Sequence, residues 1–373
     1  MSVIINGTDG VTFNDASLQG AAASPYVLKN RIINGAMVID QRNAGASVAI
    51  TTAAPFITDR FFSYASQTSK LTGQQNAAAV TPPVGFTNYL GFTSLSAYSV
   101  LASDIFGAIQ RIEGFNTADL GWGTANAKTV TLSFQVYSSL TGTFGGSLQN
   151  SAQNRSYPFT YTISSANTWT SISVTIAGDT TGTWIGATNG IGIQVNLGLG
   201  MGSTYSGTAG SWQASNLFSA TGATSVVGTN GATFYITGVQ LEVGSTATPF
   251  ERRLYDKELI SCQRYFYIID GNVPSPNNTA IGAGFNISTT SGRIAIHNPV
   301  EMRSTPTFSY TGTIYLLNSA GSGIAITSIS ATFANKVTAM LNFTVASGMV
   351  AGNGTIAVTN NGAGQTFQAS AEL

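Results

Sequence analysis

The sequence predicts a mainly β fold, made of a jelly-roll-like β-sandwich, one connecting helix and a second, small C-terminal β-sandwich. Apolar and polar residues alternate over residues 129–136, 172–176 and 191–197, which is typical of strands that bury one face. Turn clusters such as Gly145-Gly146 separate these strands at short intervals. Because strands do not alternate with helices, the pattern disfavours a parallel α/β enzyme fold.

The same pattern divides the chain into four segments. Residues 1–45 are predicted to form an N-terminal strand-turn and attachment segment, with a hairpin turn that ends at Gly10. Residues 46–249 form the central sandwich, and residues 250–269 form the connecting helix. Residues 270–373 form a C-terminal β domain, which we expect to be distal.

The clearest change of pattern lies between residues 234 and 267. The apolar parity of the strand changes at Gly238, which predicts a β-bulge. A helix is expected directly after Pro249, with Thr248 as its N-cap. The apolar face of this helix has residues spaced four, three and four apart, namely Tyr255, Leu259, Cys262 and Phe266.

This helix has two interpretations. It is either an amphipathic linker packed on the sandwich or the place where symmetry-related copies of the chain meet, and its apolar face is buried in both cases. A catalytic or nucleic-acid-binding role is disfavoured, because the many charges of the segment balance and give no basic face. We therefore expect the apolar residues to form a trimer or domain interface.

The composition excludes several classes of partner. Only 8% of the residues are charged, and 15 basic residues balance 15 acidic ones. This balance predicts no basic surface that would bind nucleic acid or an anionic membrane. No segment predicts membrane insertion or an N-terminal signal. So weakly charged a surface favours association into a defined oligomer. The single cysteine, Cys262, excludes an intrachain disulfide and is expected to be a buried thiol.

No catalytic residues are predicted. A glycosidase needs two positioned carboxylic groups, and the acidic residues of the sandwich form no recognisable pair by spacing. His297 is the only histidine, so a His-centred triad is excluded. Neither a metal nor a cofactor is expected, and a calcium ion held by carboxylates is the alternative. These acidic residues are Asp59, Asp104, Glu113, Asp119, Asp179 and Glu242. Asp59 is expected to pair with Arg60, and Glu242 to point outward.

Three tryptophans are the candidate ligand-binding residues. Trp122, Trp184 and Trp212 each lie in or beside a Gly-rich turn, where an indole ring can stack on a sugar. The alternative interpretation is that each ring caps the sandwich core. Loop tips of the C-terminal unit, near residues 318–322, 347–354 and 360–364, are a second candidate contact surface.

Three motifs resemble segments of bacteriophage tail fibre proteins. The first is Arg-Ile-Ile-Asn-Gly-Ala-Met within residues 30–43, a segment that we expect to enter the sandwich as a strand. The others are Thr-Asp-Arg-Phe at residues 58–61 and the run from residue 236 to residue 266. This resemblance implies a homotrimeric virion fibre protein whose central domain is similar to the jelly rolls of carbohydrate-binding modules.

The resemblance also sets the functional expectation. The chain is expected to be a structural virion protein, a tail fibre or receptor-binding protein that contacts host-surface glycan without enzymatic activity. Its partners would be two further copies of itself, other phage tail proteins and a host cell-surface glycan. It would be made in the host cytoplasm and reside in the phage tail. The alternatives are an enzymatic tailspike that degrades surface polysaccharide and a collar or connector fibre with no receptor role.

Overall fold

The computed structural model describes residues 4–6, 10–12, 18–19, 28–270, 279–318, 320–359 and 364–373. Strands dominate these residues, which also contain one α-helix of nine residues. None of the helices in these ranges has the length and apolar character needed to cross a membrane. The mainly β prediction is confirmed.

A small antiparallel sheet lies near the N-terminus. Its strands are β1 (Ile4–Asn6), β2 (Gly10–Thr12) and β3 (Leu18–Gln19), and β2 lies in the middle. The pairing of β1 with β2 confirms the predicted hairpin. Residues 7–9, which precede Gly10 in the predicted hairpin turn, lie outside the described residues.

Two six-stranded antiparallel sheets form the central sandwich. Its strands are β4 (Val48–Ala49), β5 (Phe56–Thr58), β6 (Phe61–Ala65), β7 (Leu71–Gln75), β8 (Leu90–Ser94), β9 (Ile105–Glu113), β10 (Val130–Ser138), β11 (Gly142–Gln149), β12 (Ser156–Ile163), β13 (Thr170–Ile176), β14 (Ile191–Met201), β15 (Ser206–Gly207), β16 (Ser219–Ala220) and β17 (Thr233–Val243).

Sheet I has the strand order β13-β10-β17-β8-β7-β4, and sheet II has the order β12-β11-β14-β9-β6-β5. The chain crosses repeatedly from one sheet to the other, as the predicted jelly-roll-like sandwich requires. A short parallel pair, β15 with β16, forms a separate two-stranded sheet.

The core lies between the two sheets. Alternate residues of β10 face it, so that Val130, Leu132 and Val136 are fully buried. Phe234 and Leu241 of the neighbouring strand β17 are buried with them. The predicted alternation is confirmed, and burial of this continuous apolar layer is the main source of stability of the sandwich.

Strand β17 contains the predicted bulge. Ser133 of β10 pairs with Gln240, whereas Gln135 pairs with Thr237, so β17 has one extra residue between these pairs. Gly238 lies there with a φ of 64°, a backbone conformation that strains most other residues. The bulge prediction is confirmed.

Beyond the bulge, an irregular segment replaces strand β8 at the edge of β17. The Val239 amide donates to the Gly35 carbonyl at 2.9 Å, and the Arg31 amide donates to the Leu241 carbonyl at 2.9 Å. The Asn30 side chain also donates to the Val239 carbonyl at 3.1 Å. The backbone groups of β17 therefore stay paired past the bulge.

The prediction of a strand within residues 30–43 was wrong. Asn34 and Met37 have φ angles of 59° and 58°, which no strand contains. The Asn34 side chain stabilises this path by donating to the Asp59 carbonyl at 2.9 Å. The segment is nevertheless part of the sandwich, because Ile32 and Met37 are fully buried in its core.

The connecting helix α1 spans Tyr255–Gln263, so it begins later and ends earlier than predicted, and a strand starts at Phe266. Thr248 is not its N-cap, since its hydroxyl and amide donate to Glu242 at 2.6 and 2.8 Å. Arg253 donates to the Ile32 carbonyl at 3.0 Å. These bonds hold the preceding residues in a non-helical form, and the helix starts after Leu254, whose backbone is extended.

The buried face of α1 also differs from the predicted one. Cys262 and Glu258 are its buried residues, and Phe266 is buried in the strand that follows. Leu259 is half-buried, whereas Tyr255 is 64% exposed and does not pack on the sandwich. Burial raises the pKa of the Cys262 thiol well above its usual value, which confirms the buried thiol.

The C-terminal unit combines a closed six-stranded barrel with a three-stranded sheet. Its strands are β18 (Phe266–Asp270), β19 (Ala280–Asn286), β20 (Ser291–His297), β21 (Thr307–Thr311), β22 (Ile314–Leu317), β23 (Gly323–Ala334), β24 (Thr338–Val345), β25 (Gly354–Thr359) and β26 (Thr366–Ser370).

Closure of the barrel refines the predicted small sandwich. The barrel order is β19-β20-β24-β23-β22-β25, and the three-stranded sheet is β18-β26-β21. The long strand β23 shifts register against β24 twice, and such bulges supply the curvature that closure requires. Phe343 inside the barrel stacks on Phe367 of the small sheet, so both parts share one core.

A cluster of arginines and carboxylates joins the sandwich to the C-terminal unit, and we call it the junction. Arg60 is 2% exposed, donates to Glu372 and lies 3.6 Å from the ring centre of Tyr265. Arg42 donates to the same carboxylate at 3.0 Å. The predicted pairing of Asp59 with Arg60 was wrong, because Asp59 faces Arg42 at 3.8 Å.

Further contacts complete the junction. Glu113 accepts hydrogen bonds from Arg264 at 2.6 and 2.9 Å and from the Tyr265 hydroxyl at 2.6 Å. Arg303 donates to the carbonyl oxygens of Ala371 and Glu372 at 2.7 and 2.6 Å. Charges from both units therefore neutralise one another away from water.

Glu372→Gln should destabilise the protein, because it leaves the buried Arg60 guanidinium without a neutralising charge. We expect the free energy of unfolding to fall by about 3 kcal/mol, measured by urea denaturation. The control is Glu301→Gln, which removes an exposed ion pair with Lys336 at 3.8 Å. This control should cost less than about 1 kcal/mol. Equal losses in the two variants would contradict a structural role for the junction.

Candidate functional site

An open groove of about 470 Å³ lies on the outer face of sheet I, next to the bulge of β17. Strands β10 and β13 form its floor, and two loops form its walls. The lining residues are Phe86, Ser133, Phe134, Gln135, Ser171, Ile172, Ser173, Gly238, Ala247, Thr248, Pro249, Phe250 and Arg252. We call this site the aromatic groove.

Two phenylalanine rings and one guanidinium form the wall of the aromatic groove. The ring centres of Phe86 and Phe250 lie 5.2 Å apart, with the planes inclined at 60°. The Arg252 guanidinium lies 4.6 Å from the centre of the Phe86 ring and 5.7 Å from that of Phe250. Both rings are half-buried, so each keeps a surface that a ligand can reach.

The bulge determines where Phe86 lies. A side chain on Gly238 would bring its Cβ within 2.6 Å of the Phe86 ring. The ring therefore rests directly on the backbone of β17, at a position that only glycine leaves open.

The late start of helix α1 brings in the second ring. Gln240 accepts a hydrogen bond from the Glu251 amide at 2.8 Å, and Glu242 holds Thr248. Residues 248–251 are thus bonded to β17 in a non-helical form, and Phe250 lies against Phe86. A helix that began after Pro249 would not keep these bonds.

The floor of the aromatic groove is polar but carries no charge. Gln135 donates to the Ser171 hydroxyl at 2.8 Å, and Ser133 and Ser173 add two further hydroxyls. Among the described lining residues there is no aspartate or glutamate. The groove combines apolar ring faces with neutral donors and acceptors, an arrangement suited to binding a polyhydroxylated ligand.

The three predicted tryptophans lie together elsewhere, at one end of the sandwich. The ring centres of Trp122, Trp184 and Trp212 are 4.7 to 5.3 Å apart, in edge-to-face contacts. Each indole N–H already donates within the chain, for example from Trp122 to the Lys128 carbonyl at 2.8 Å. The adjacent cavity measures only about 40 Å³.

This geometry matches the alternative interpretation, in which the tryptophans cap the core. Trp122 is 8% exposed, and Trp184 and Trp212 are half-buried against the same core. A cavity of this size accommodates about one water molecule and not a sugar ring. Ligand binding by these rings stays a prediction.

The carboxylates of the sandwich are each bonded within the chain. Glu242 does not point outward as expected but is 2% exposed beneath Thr248. Asp179 forms two hydrogen bonds of 2.7 Å with Arg155, and these lower the pKa of its carboxyl against the opposing effect of burial. The remaining partners are Gln41 for Asp59, Ser66 and Tyr98 for Asp104, Arg264 for Glu113, and Arg31 for Asp119.

Metal-binding geometry is also not found in the described part of the chain. No three groups from histidine, cysteine, aspartate and glutamate come together there in an arrangement that could hold an ion. The aromatic groove therefore offers binding by stacking and hydrogen bonding rather than by coordination.

Sequence reasoning missed Phe86, Phe250 and Arg252. Phe86 follows a turn that contains Pro83 and Gly85, and Phe250 follows Thr248-Pro249. Neither phenylalanine has a periodic neighbour. The only sequence signal near the groove is the change of apolar parity at Gly238. It indicates where the bulge lies but not which side chains form the groove wall.

No family model matches the chain, and no curated protein matches it. Tailspike protein 4 of bacteriophage CBA120, in its enzymatically active domain, is 12% identical with a TM-score of 0.32, covering 60% of this chain and 22% of that one. A putative sugar binding protein from Bacteroides thetaiotaomicron is 12% identical with a TM-score of 0.31, covering 58% and 100% of the two chains.

A family 11 carbohydrate-binding module from Clostridium thermocellum, in complex with a mixed-linked tetrasaccharide, is 10% identical. Its TM-score is 0.27, and the match covers 55% of this chain and 100% of that one. Likeness at this level assigns neither a family nor an activity to this chain.

Gly238→Ala should destabilise the protein and displace the Phe86 ring. We expect a loss of about 1 to 3 kcal/mol in the free energy of unfolding, from the positive φ angle and the clash together. The matched control is Gly222→Ala, which has a φ of 78° but no heavy atom within 4 Å of the added Cβ. In a Phe86→Ala background, the stability loss caused by Gly238→Ala should become smaller, whereas the loss caused by Gly222→Ala should stay the same. An unchanged Gly238→Ala loss in that background would contradict the clash.

Proposed function

We propose that the aromatic groove binds a saccharide of the host cell surface and that the chain is a non-enzymatic receptor-binding protein of a bacteriophage tail fibre. The observation that carries the proposal is the pair formed by Phe86 and Phe250 above a floor of serine hydroxyls and the Gln135 amide. Aromatic rings pack on the apolar faces of a sugar, while hydroxyls and amides bond with its polar edge.

The proposal of a binding protein rather than an enzyme is supported by the positions of the carboxylates. Glycoside hydrolysis needs two carboxyl groups on either side of the scissile bond. The described residues that line the aromatic groove include none, and those of the sandwich are bonded elsewhere in the chain. We therefore expect a bound polysaccharide to keep its length, with no increase in reducing ends.

The tail-fibre assignment is supported by how the three motif segments meet. The Gly35 carbonyl accepts from the Val239 amide at 2.9 Å, and Asn34 donates to Asp59 within the second motif. Gln41 donates to the Phe266 carbonyl at 3.0 Å. The segments that resemble tail fibre proteins thus form one structural unit, located where sandwich, helix and C-terminal unit join.

A binding defect in groove variants would test the function. Phe250→Ala and Phe86→Ala should each weaken binding of the full chain to susceptible host cells and to their purified surface polysaccharide by about tenfold or more. The measurement is biolayer interferometry on immobilised polysaccharide. The control is Phe115→Ala, because Phe115 is 55% exposed and lies outside the groove. Unchanged binding by both groove variants, or binding by none of the proteins, would refute the proposal.

The homotrimer is part of the same proposal, since three weak sites on one fibre give a higher effective affinity. The connecting helix leaves an apolar surface uncovered in the single chain. Leu254 and Tyr255 are 73% and 64% exposed at its start, and Ile260 is 45% exposed farther along. Leu28 lies beside Ile260 in an open groove of about 330 Å³.

The oligomeric state tests this surface directly. Analytical ultracentrifugation should give a mass of three chains, and Tyr255→Asp should shift it to one chain because a buried carboxylate is costly at an apolar interface. Val337→Asp is the control, as Val337 is 53% exposed in the C-terminal unit. A monomeric wild-type chain would contradict the homotrimer, and a trimeric Tyr255→Asp variant would exclude this surface.

A further inference from the structure

Arg252 is the only charged residue in the described lining of the aromatic groove. Its side chain is exposed, and no carboxylate of the described chain lies within ion-pair distance of it. The next residue, Arg253, differs in this respect because it lies 3.4 Å from Glu258. The positive charge of Arg252 is therefore available to a ligand.

The wall of the groove holds this guanidinium in a defined place. It lies over the Phe86 and Phe250 rings and also against the backbone at Gly85, where an added Cβ would come within 2.9 Å of Nη2. Stacking on the rings uses the face of the guanidinium and leaves its N–H edge free. That edge can donate two parallel hydrogen bonds to a planar carboxylate or to two phosphate oxygens.

The neighbouring acidic side chains do not neutralise this charge. Asp256, the next acidic residue after Arg252, is exposed and lies 3.4 Å from Lys257. Glu251 accepts a hydrogen bond from the Asn30 amide at 2.6 Å, away from the groove. Glu242 accepts from Thr248 and from Gln240 at 2.8 Å, and it lies 3.7 Å from Lys29. A concave surface with one fixed cation and no carboxylate attracts an anion.

We infer that the saccharide bound in the aromatic groove is anionic, with a carboxylate or phosphate group on a sugar ring that Arg252 binds. This inference rests on the proposed function, and it specifies the substrate class of the same site. The rings of Phe86 and Phe250 pack against the sugar, and the guanidinium edge selects the charged substituent. A neutral saccharide would keep the stacking and lose the charge-assisted hydrogen bonds.

The test uses the full chain and a panel of immobilised bacterial surface polysaccharides. Each acidic polysaccharide is presented in its native form, after chemical reduction of its carboxyl groups, and in the reduced form with phosphate monoesters added. We expect the wild-type chain to bind a native or phosphorylated form about tenfold more tightly than the reduced form. Which of the two charged forms binds distinguishes a carboxylate from a phosphate.

Variants of Arg252 test whether this residue causes the preference for charged polysaccharide. Arg252→Gln should bind charged and reduced forms equally, and Arg252→Lys should keep a smaller preference because it has the charge without the planar edge. The control is Lys70→Gln, which removes a cation 4.9 Å from the Tyr98 ring, outside the groove. Since Arg252 is exposed, all variants should retain the wild-type unfolding temperature.

The outcomes separate this inference from the proposed function. Binding without preference between charged and reduced forms would overturn the inference and leave saccharide binding intact. A preference that persists in Arg252→Gln would also overturn it. Failure to bind any polysaccharide, or binding unaffected by both Phe86→Ala and Phe250→Ala, would overturn both.

Discussion

The extra residue in β17 is the constraint on which both the architecture and the aromatic groove depend. Gly238 takes a positive φ angle, and past it the strand bonds with residues 30–35 rather than with β8. The same glycine leaves the space in which Phe86 lies. Beyond the bulge, Gln240 and Glu242 hold the chain before the helix. One backbone irregularity thus lies beside the segment that completes the sheet, the wall of the aromatic groove and the residues that precede the helix.

The few charges of this chain are used mainly inside it. Arg60 and Glu113 are buried and Glu372 is partly buried where two β units meet, so the cost of desolvating them is offset by mutual pairing and hydrogen bonds. Burial in this cluster raises the pKa of Asp59 to about 6. Hydroxyls and amides dominate the outer surface instead, and within the described residues no carboxylate lies at ion-pair distance from the exposed Arg252.

Local periodicity predicted the sandwich strands and the bulge at Gly238, because both depend on which neighbouring residues face the core. It did not predict contacts between distant segments. The helix starts late because Glu242 bonds with Thr248. The wall of the groove forms because Phe86 contacts Phe250. No pattern in the sequence encodes either contact. Periodicity does not predict strand β23, because its small and hydroxyl side chains alternate weakly. Barrel closure is a property of the assembled sheet.

The single thiol of the chain lies where the helix packs on the sandwich. Cys262 is 1% exposed, and its raised pKa keeps it protonated and unreactive while the helix is docked. A thiol-modifying reagent can therefore reach it only when the helix moves away from the sandwich. The rate of modification would report how often this connection opens, so the native chain already contains a kinetic probe of movement between its two β units.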